Sequence, residues 1–105
     1  MTLVDITVEE GPASTRAIVL LRGRVDVYGA ADVAACLNAL LDRGADVVVD
    51  LTNVDLIDSV GLLALFEARI RARRLGHRLT LQHPAGHLSR VLVVAPRHGG
   101  SSADA

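Results

Sequence analysis

The chain has 105 residues, half of them hydrophobic, which is enough for one domain with one core. A formal net charge of -1, with Tyr28 and Phe66 as the only aromatic residues, argues against a nucleic-acid surface or an anionic-membrane surface. The lone Cys36 excludes an internal disulfide and a cysteine zinc site. No basic segment precedes an apolar one at the start, and no apolar run spans a membrane, so we expect a cytoplasmic protein.

The first half of the chain predicts a β-hairpin followed by a helix. Apolar residues alternate over 3–8, a turn containing Gly-Pro follows over 9–14, and the apolar run 17–21 predicts a second strand. Two glycines bound a predicted loop over 23–29. Helical spacing over 31–43 then predicts a helix that the next glycine ends.

The second half predicts a strand over 46–51, a helix from about Ser59 to Gly76, a strand over 78–82 and a short helix over 85–94. The predicted core face of the longer helix consists of four apolar residues: Leu62, Leu65, Phe66 and Ile70. Four arginines crowd its end, where cations oppose the helix dipole: Arg69, Arg71, Arg73 and Arg74. Given the overall charge, we expect a solvated helix end and no binding to DNA or RNA.

The order of these elements predicts a small α/β domain over 1–96 with a mixed sheet, followed by a flexible tail over 97–105. The join between the central strand and its helix carries polar residues between apolar segments. Asp58 or Ser59 suits the N-cap of the helix. Gly61 costs about 0.5–1 kcal/mol relative to alanine inside a helix, which indicates that something approaches the backbone there.

Several kinds of chemistry are conceivable at this junction. Nucleophilic catalysis by Ser59 is disfavoured, because every histidine lies in the last third of the chain and Ile57 replaces the glycine of a nucleophile elbow. Asp50, Asp55 and Asp58 are spaced for a carboxylate cluster, but the chain has no lysine to support a phosphoaspartate site. A third possibility is that Ser59 accepts a phosphoryl group from another protein, since helix N–H groups suit the product.

The segments "LRGRVDVYGA" and "VVVDLTNVDLIDSVGLLAL" resemble the STAS domains of bacterial anti-sigma factor antagonists. That family combines a Gly-x-x-Asp turn, here 23–26, with a strand ending in Asp-Leu, here 50–51. A hydrophobic-Asp-Ser-x-Gly-Leu junction follows, here 57–62, and the resemblance covers residues 3–94. It implies a single STAS-like domain with a mixed four- to five-stranded sheet, an N-terminal hairpin, and helices packed mainly on one face.

The resemblance also implies a binding protein with no catalytic site, metal or cofactor. Unphosphorylated members bind an anti-sigma factor of the GHKL serine-kinase type and so release a sigma factor; the kinase then phosphorylates the junction serine, and a PP2C-type phosphatase restores it. Carried over, Ser59 is the phosphorylation site, and Val60 leaves it as the only serine there. The implied partner-binding residues lie in the turn and at the junction: Asp26, Asp58, Ser59, Val60, Gly61 and Leu62.

We expect a monomer or weak homodimer that contacts neither nucleic acid nor membrane directly. Two alternatives stay open. One keeps the fold but makes the chain a STAS subunit of a lipid-transport complex or a scaffold in stress signalling. The other is a small enzyme built on the carboxylates of Asp50, Asp55 and Asp58.

Overall fold

The computed structural model describes residues 4–11, 15–82 and 92–94. The elements within these residues are β1 (Val4–Glu10), β2 (Arg16–Val25), α1 (Ala30–Asp42), β3 (Asp46–Asp58), α2 (Ser59–Arg74), β4 (Leu79–Gln82) and β5 (Leu92–Val94). The predicted α/β domain with a mixed sheet and an N-terminal hairpin is confirmed. Neither helix in the described part of the chain is long and apolar enough to cross a membrane.

β3 is the central strand of the sheet. The sheet order is β1-β2-β3-β4, with β1 antiparallel to β2 and β2 parallel to β3. On its other side β3 has two parallel neighbours: β4 pairs with its first half and β5 with its last three residues, from Leu56 to Asp58. β3 therefore runs the length of the sheet, and its carboxyl end leads directly into α2.

One face of the sheet forms the core. Along β2, Ala17, Val19 and Leu21 are buried, while the residues between them are half-buried or exposed. Both helices contact the sheet and each other, and the burial alternates along the strands. The two helices therefore cover the same face of the sheet, and the other face carries mostly polar side chains.

The core face of α2 differs from the one its apolar residues predict. Its fully buried residues follow a spacing of four, three and four: Gly61, Leu65, Ala68 and Ala72. The prediction is right for Leu65 and wrong for Phe66 and Ile70, which are 43% and 52% exposed. Small side chains lie on the buried side because they let α2 pack closely against the sheet and α1.

Three strands run past their predicted ends, and β1 does so by reaching Glu10, two residues into the predicted turn. β3 continues from Leu51 to Asp58, and β2 continues through Gly23, a position the sequence assigned to a loop. The register between the two strands shifts between Leu20 and Arg22 and again after Gly23, whose φ of 93° suits glycine. With these irregularities, both strands remain paired in the sheet through segments that contain polar residues.

The predicted helix over 85–94 is wrong at its end, since Leu92–Val94 is a strand that pairs with β3. The rest of that predicted helix, and the predicted tail over 97–105, lie outside the described residues.

Candidate functional site

Ser59 stands where the central strand becomes a helix. β3 ends at Asp58 and α2 begins at Ser59, without an intervening loop. Because β2 and β3 are parallel, this junction lies at the carboxyl edge of the sheet, the edge where open α/β folds place their functional groups. The side chain of Ser59 is partly buried, and it lies beside the N-terminal N–H groups of a helix of 16 residues.

Asp58 fixes the geometry of this junction with both of its carboxylate oxygens. Its Oδ1 accepts a hydrogen bond from the Gly61 backbone N–H at 2.8 Å, which caps α2. Its Oδ2 accepts one from the Val27 N–H at 2.9 Å, in the loop between β2 and α1. The predicted capping role of Asp58 is present, and a second bond ties the loop to the start of α2.

Asp26 builds that loop from within. It is only 8% exposed, its Oδ1 accepts a hydrogen bond from the Tyr28 N–H at 3.0 Å, and its carbonyl accepts from Gly29 at 3.0 Å and Ala30 at 2.8 Å. The carboxylate therefore shapes the turn, while the contact of Asp26 with a partner stays a prediction. The residues that the turn exposes are Val27 and Tyr28, at 55% and 72%. Sequence reasoning missed both, although an apolar pair after a Gly-x-x-Asp turn was a visible signal.

Gly61 is required by a neighbour within the chain. It is buried, and a Cβ built on it would lie 2.0 Å from the carbonyl oxygen of Val25 and 2.9 Å from a methyl carbon of that residue. No side chain fits there without a backbone shift. The end of β2 is thus the group that approaches the backbone of Gly61. The contact of Gly61 with a partner stays a prediction.

Apolar side chains surround Ser59 on the surface. Val60 is 43% exposed and Leu63 is 55% exposed, one helical turn further along α2. Val27 and Tyr28 lie alongside, because Asp58 binds the Val27 N–H. We call Val27, Tyr28, Val60 and Leu63 the apolar rim. Leu62 is half-buried and packs against the core, and its contact with a partner stays a prediction.

The carboxylates proposed for a small enzyme do not converge. Asp50 and Asp58 lie on the same strand, eight residues apart, which separates them by roughly 20–25 Å. The Asp50 Oδ1 instead accepts hydrogen bonds from the Thr52 N–H at 2.8 Å and the Thr52 hydroxyl at 2.5 Å. Among the described residues, no three histidine, cysteine or acidic side chains lie close enough to hold a metal ion.

Cys36 lies outside this site, on α1. Its thiol is half-buried, and burial raises its pKa above the usual value, because a low-polarity surrounding disfavours the thiolate. The shift makes it a poorer nucleophile, because less of the thiol is present as thiolate.

Comparisons with known proteins agree with this architecture. A family model described as "Mlab, STAS domain" matches residues 10–96. A comparison with curated proteins finds no significant match in sequence.

Among solved structures, a protein named Mglu is 30% identical with a TM-score of 0.67; the match covers 82% of this chain and 20% of Mglu, so the chain spans about a fifth of its length. An anti-sigma factor antagonist from Mycobacterium paratuberculosis is 19% identical, with a TM-score of 0.64 and coverage of 90% and 88%. The Bacillus cell fate determinant SpoIIAA in its phosphorylated form is 14% identical, with a TM-score of 0.65 and coverage of 88% and 91%. The similarity to the last two proteins shows a shared fold only. The family model matches most of the chain, so the chain belongs to the STAS-domain family.

Proposed function

We propose that the chain is an anti-sigma factor antagonist, acting in the cytoplasm, whose binding is switched by phosphorylation of Ser59. Unphosphorylated, it binds an anti-sigma factor of the GHKL serine-kinase type and releases a sigma factor. The observation that carries the proposal is the position of Ser59, at a helix N-terminus whose neighbouring residues on α2 and in the loop before α1 expose the apolar rim. Two proteins of similar structure, an anti-sigma factor antagonist and the phosphorylated SpoIIAA, support it at the level of the fold.

The apolar rim supplies the contact surface in this proposal. Four apolar side chains that are 43–72% exposed give a partner area to bury around the serine. Tyr28 is the most exposed of them, and tyrosine is among the residues that contribute most to binding energy at interfaces. Asp26, Asp58 and Gly61 act indirectly, by holding the loop and the helix start together.

Phosphorylation changes this surface without opposing the fold. A phosphate adds about -1.5 to -2 charge at neutral pH and three acceptor oxygens. A helix N-terminus favours such a charge, because several of its N–H groups lack intrahelical partners and the helix dipole is positive there. Of these groups, Asp58 binds the N–H of Gly61. We therefore expect the phosphorylated chain to keep its structure.

Phosphorylation would destabilise the complex with the partner much more than it destabilises the free chain. Binding would bury a strongly hydrated phosphate beside the carboxylate of Asp58 and between apolar side chains. Desolvating such a group costs several kcal/mol, while about 2.7 kcal/mol suffices for a hundredfold change in affinity. In this mechanism the kinase ends its own binding by modifying Ser59, and a PP2C-type phosphatase restores the binding form.

The phosphorylation step is tested by incubating the chain with its anti-sigma kinase and ATP and mapping the product by mass spectrometry. We expect one phosphoryl group, on Ser59. Thr52, whose hydroxyl is bound to Asp50 on β3, is the internal control and stays unmodified, as do Ser89, Ser101 and Ser102. Modification at any of these other positions would contradict the proposal.

Variants of the serine test the switch. Ser59→Ala should fold and bind the kinase whether or not ATP is present, because the apolar rim keeps its shape and gains no charge. Ser59→Asp should also fold, since the helix N-terminus accommodates an anion, but it should bind at least about tenfold more weakly. Thr52→Ala is the control for a hydroxyl removed elsewhere on β3. If Ser59→Ala is no longer phosphorylated but Ser59→Asp binds as tightly as the wild type, Ser59 is the phosphorylation site but its phosphorylation does not control binding.

Affinity capture separates this function from the alternative within the same fold. The wild type and Ser59→Asp are used side by side as baits. A serine kinase retained by the wild type and lost from Ser59→Asp supports the antagonist. An ATPase transporter subunit retained equally by both would assign the chain to a lipid-transport complex instead.

A further inference from the structure

A second surface lies at the opposite end of α2, along the outer edge of β4. Arg69 and Arg73, one helical turn apart, line one side of a groove there. Consecutive residues 77–81, including the start of β4, line the other side. The groove therefore runs between a row of positive side chains and the edge of a strand.

Among the described residues, no strand pairs with the main chain of β4 on the side away from β3. β4 is the last strand on its path through the sheet, so within the described residues it has a strand neighbour only on the β3 side. The Arg78 carbonyl accepts a hydrogen bond from the Val47 N–H at 2.8 Å, so Arg78 faces β3. Because main-chain groups alternate in direction along a strand, those of Leu79 and Leu81 point to the outer edge. Two N–H and two C=O groups are thus available to one more strand.

No ion pair between described residues neutralises the positive charge beside this edge. The ion pairs found in the described part of the chain use Arg43 and Arg71, not the arginines of the groove. The nearest carboxylate on the β3 side belongs to Asp46, and its Oδ1 accepts a hydrogen bond from the Arg78 N–H at 2.8 Å.

We propose that this edge is a docking site for an extended acidic segment of a partner protein, which adds to the sheet as a strand beside β4. The main chain of the segment pairs with Leu79 and Leu81, and its carboxylates face Arg69 and Arg73. Strand addition draws affinity from main-chain hydrogen bonds and specificity from side chains on one face of the added strand. The site is separate from the Ser59 junction and does not depend on the function proposed for it.

Two other occupants fit the groove less well. A second copy of the chain, paired edge to edge, would bring Arg69, Arg73 and Arg78 towards their own equivalents, and like charges oppose that pairing. Single-stranded nucleic acid usually stacks its bases on aromatic rings, and no aromatic residue lines the groove.

The test uses a short end-capped peptide of alternating glutamate and threonine, labelled with fluorescein, and the full chain. Alternation places every carboxylate on one face of the extended peptide. We expect saturable binding by fluorescence anisotropy that weakens as salt rises. The variant Arg69→Ala/Arg73→Ala should bind at least about tenfold more weakly. The charge-matched control Arg22→Ala/Arg24→Ala removes two exposed arginines of β2 and should bind as the wild type does.

Main-chain pairing is tested separately. The same peptide with N-methyl groups on its threonines keeps its charge but loses the N–H groups along one edge, and it should not bind. Hydrogen exchange followed by NMR should show the amides of Leu79 and Leu81 exchanging freely in the chain alone and protected with the peptide. Slow exchange of these amides in the chain alone would mean that another part of the chain already covers the edge, and the proposal would fail.

Three further results would overturn the proposal. They are equal binding of the N-methylated peptide, unchanged binding by the Arg69→Ala/Arg73→Ala variant, and tighter binding of a short DNA duplex than of the peptide. The first would indicate attraction by charge alone, the second a different site, and the third a nucleic-acid surface.

Discussion

The two ends of α2 differ in what they expose and in how the chain holds them. The first turn is surrounded by neutral apolar side chains and is tied to the loop before α1 through Asp58 and the close contact of Gly61 with Val25. The last turns carry arginines, of which Arg71 binds α1 through Asn38 and Asp42, while Arg69, Arg73 and Arg74 form no ion pair with a described residue. One helix therefore offers a mostly apolar surface around the capped Asp58 at its start and a positive surface at its end.

The largest expected effect concerns the core that supports both ends. Leu65 is completely buried on the sheet side of α2, and Leu65→Ala should lower the free energy of unfolding by about 2–5 kcal/mol. Phe66→Ala, next to it in sequence but 43% exposed, should cost about 1 kcal/mol or less. Chemical denaturation of the two variants measures the difference. A greater loss for Phe66→Ala would mean that the buried side of α2 is the one that sequence periodicity predicts.

The close contact at the start of α2 gives the next largest effect. Gly61→Ala places a Cβ 2.0 Å from the Val25 carbonyl oxygen, so the backbone must move, and we expect a loss of about 1–3 kcal/mol. The matched control is Gly11→Ala, where an added Cβ meets nothing within 4 Å, and its stability should stay close to that of the wild type. Thermal or chemical unfolding decides between them. Equal stabilities would show that the helix start is not held against β2.

The two hydrogen bonds of Asp58 can be separated by a pair of variants. Asp58→Ala removes the cap of α2 and the bond to Val27, and it should cost about 1–2 kcal/mol. Asp58→Asn keeps one carbonyl oxygen and should lose less, because an asparagine still caps a helix. The fluorescence of Tyr28, the only tyrosine, reports whether the loop loosens. If Asp58→Ala leaves both the stability and the mobility of Tyr28 unchanged, the hydrogen bonds of Asp58 do not hold the loop to the start of α2.

The end of α2 gives the smallest effect. Arg71 donates to the Asn38 side chain at 2.9 Å and to an Asp42 carboxylate oxygen at 2.5 Å, across partly exposed surface. Arg71→Ala should cost about 0.5–1 kcal/mol, and less at high salt. Arg74→Ala removes the same charge one turn further on, with no ion pair recorded for it in the described part of the chain, and serves as the control. Identical denaturation midpoints of the two variants would mean that the contact between the helices adds no stability.

Sequence alone predicted the order of the elements from β1 to β4 and the junction at Ser59, because strong apolar runs and glycine stops mark them, but it predicted a helix where β5 lies. It did not predict the length of β3, since Thr52 and Asn53 interrupt the apolar pattern and only the register shifts against β2 keep them in the sheet. The sequence also mispredicted which residues of α2 are buried on the same side as Leu65. Apolar residues lie on several sides of α2, so periodicity favoured large side chains over the alanines that are buried.

The contacts that shape the site are the part least visible in the sequence. Val25 lies 36 positions before Gly61, and Val27 lies 31 positions before Asp58. A local pattern indicates that a glycine and a capping acid are needed, but only the folded chain identifies the atoms that they meet. The same holds for the β4 edge: the sequence does not show that Arg69 and Arg73 lie beside a strand that comes later in the chain.

The switch at Ser59 is tested most directly by calorimetric titration of the anti-sigma kinase with the unphosphorylated and the singly phosphorylated chain, under identical conditions. If a phosphate at the start of α2 ends docking on the apolar rim, the phosphorylated chain binds at least about tenfold more weakly, which corresponds to about 1.4 kcal/mol, while its unfolding transition stays that of a folded domain. Equal affinities for the two forms would contradict the account.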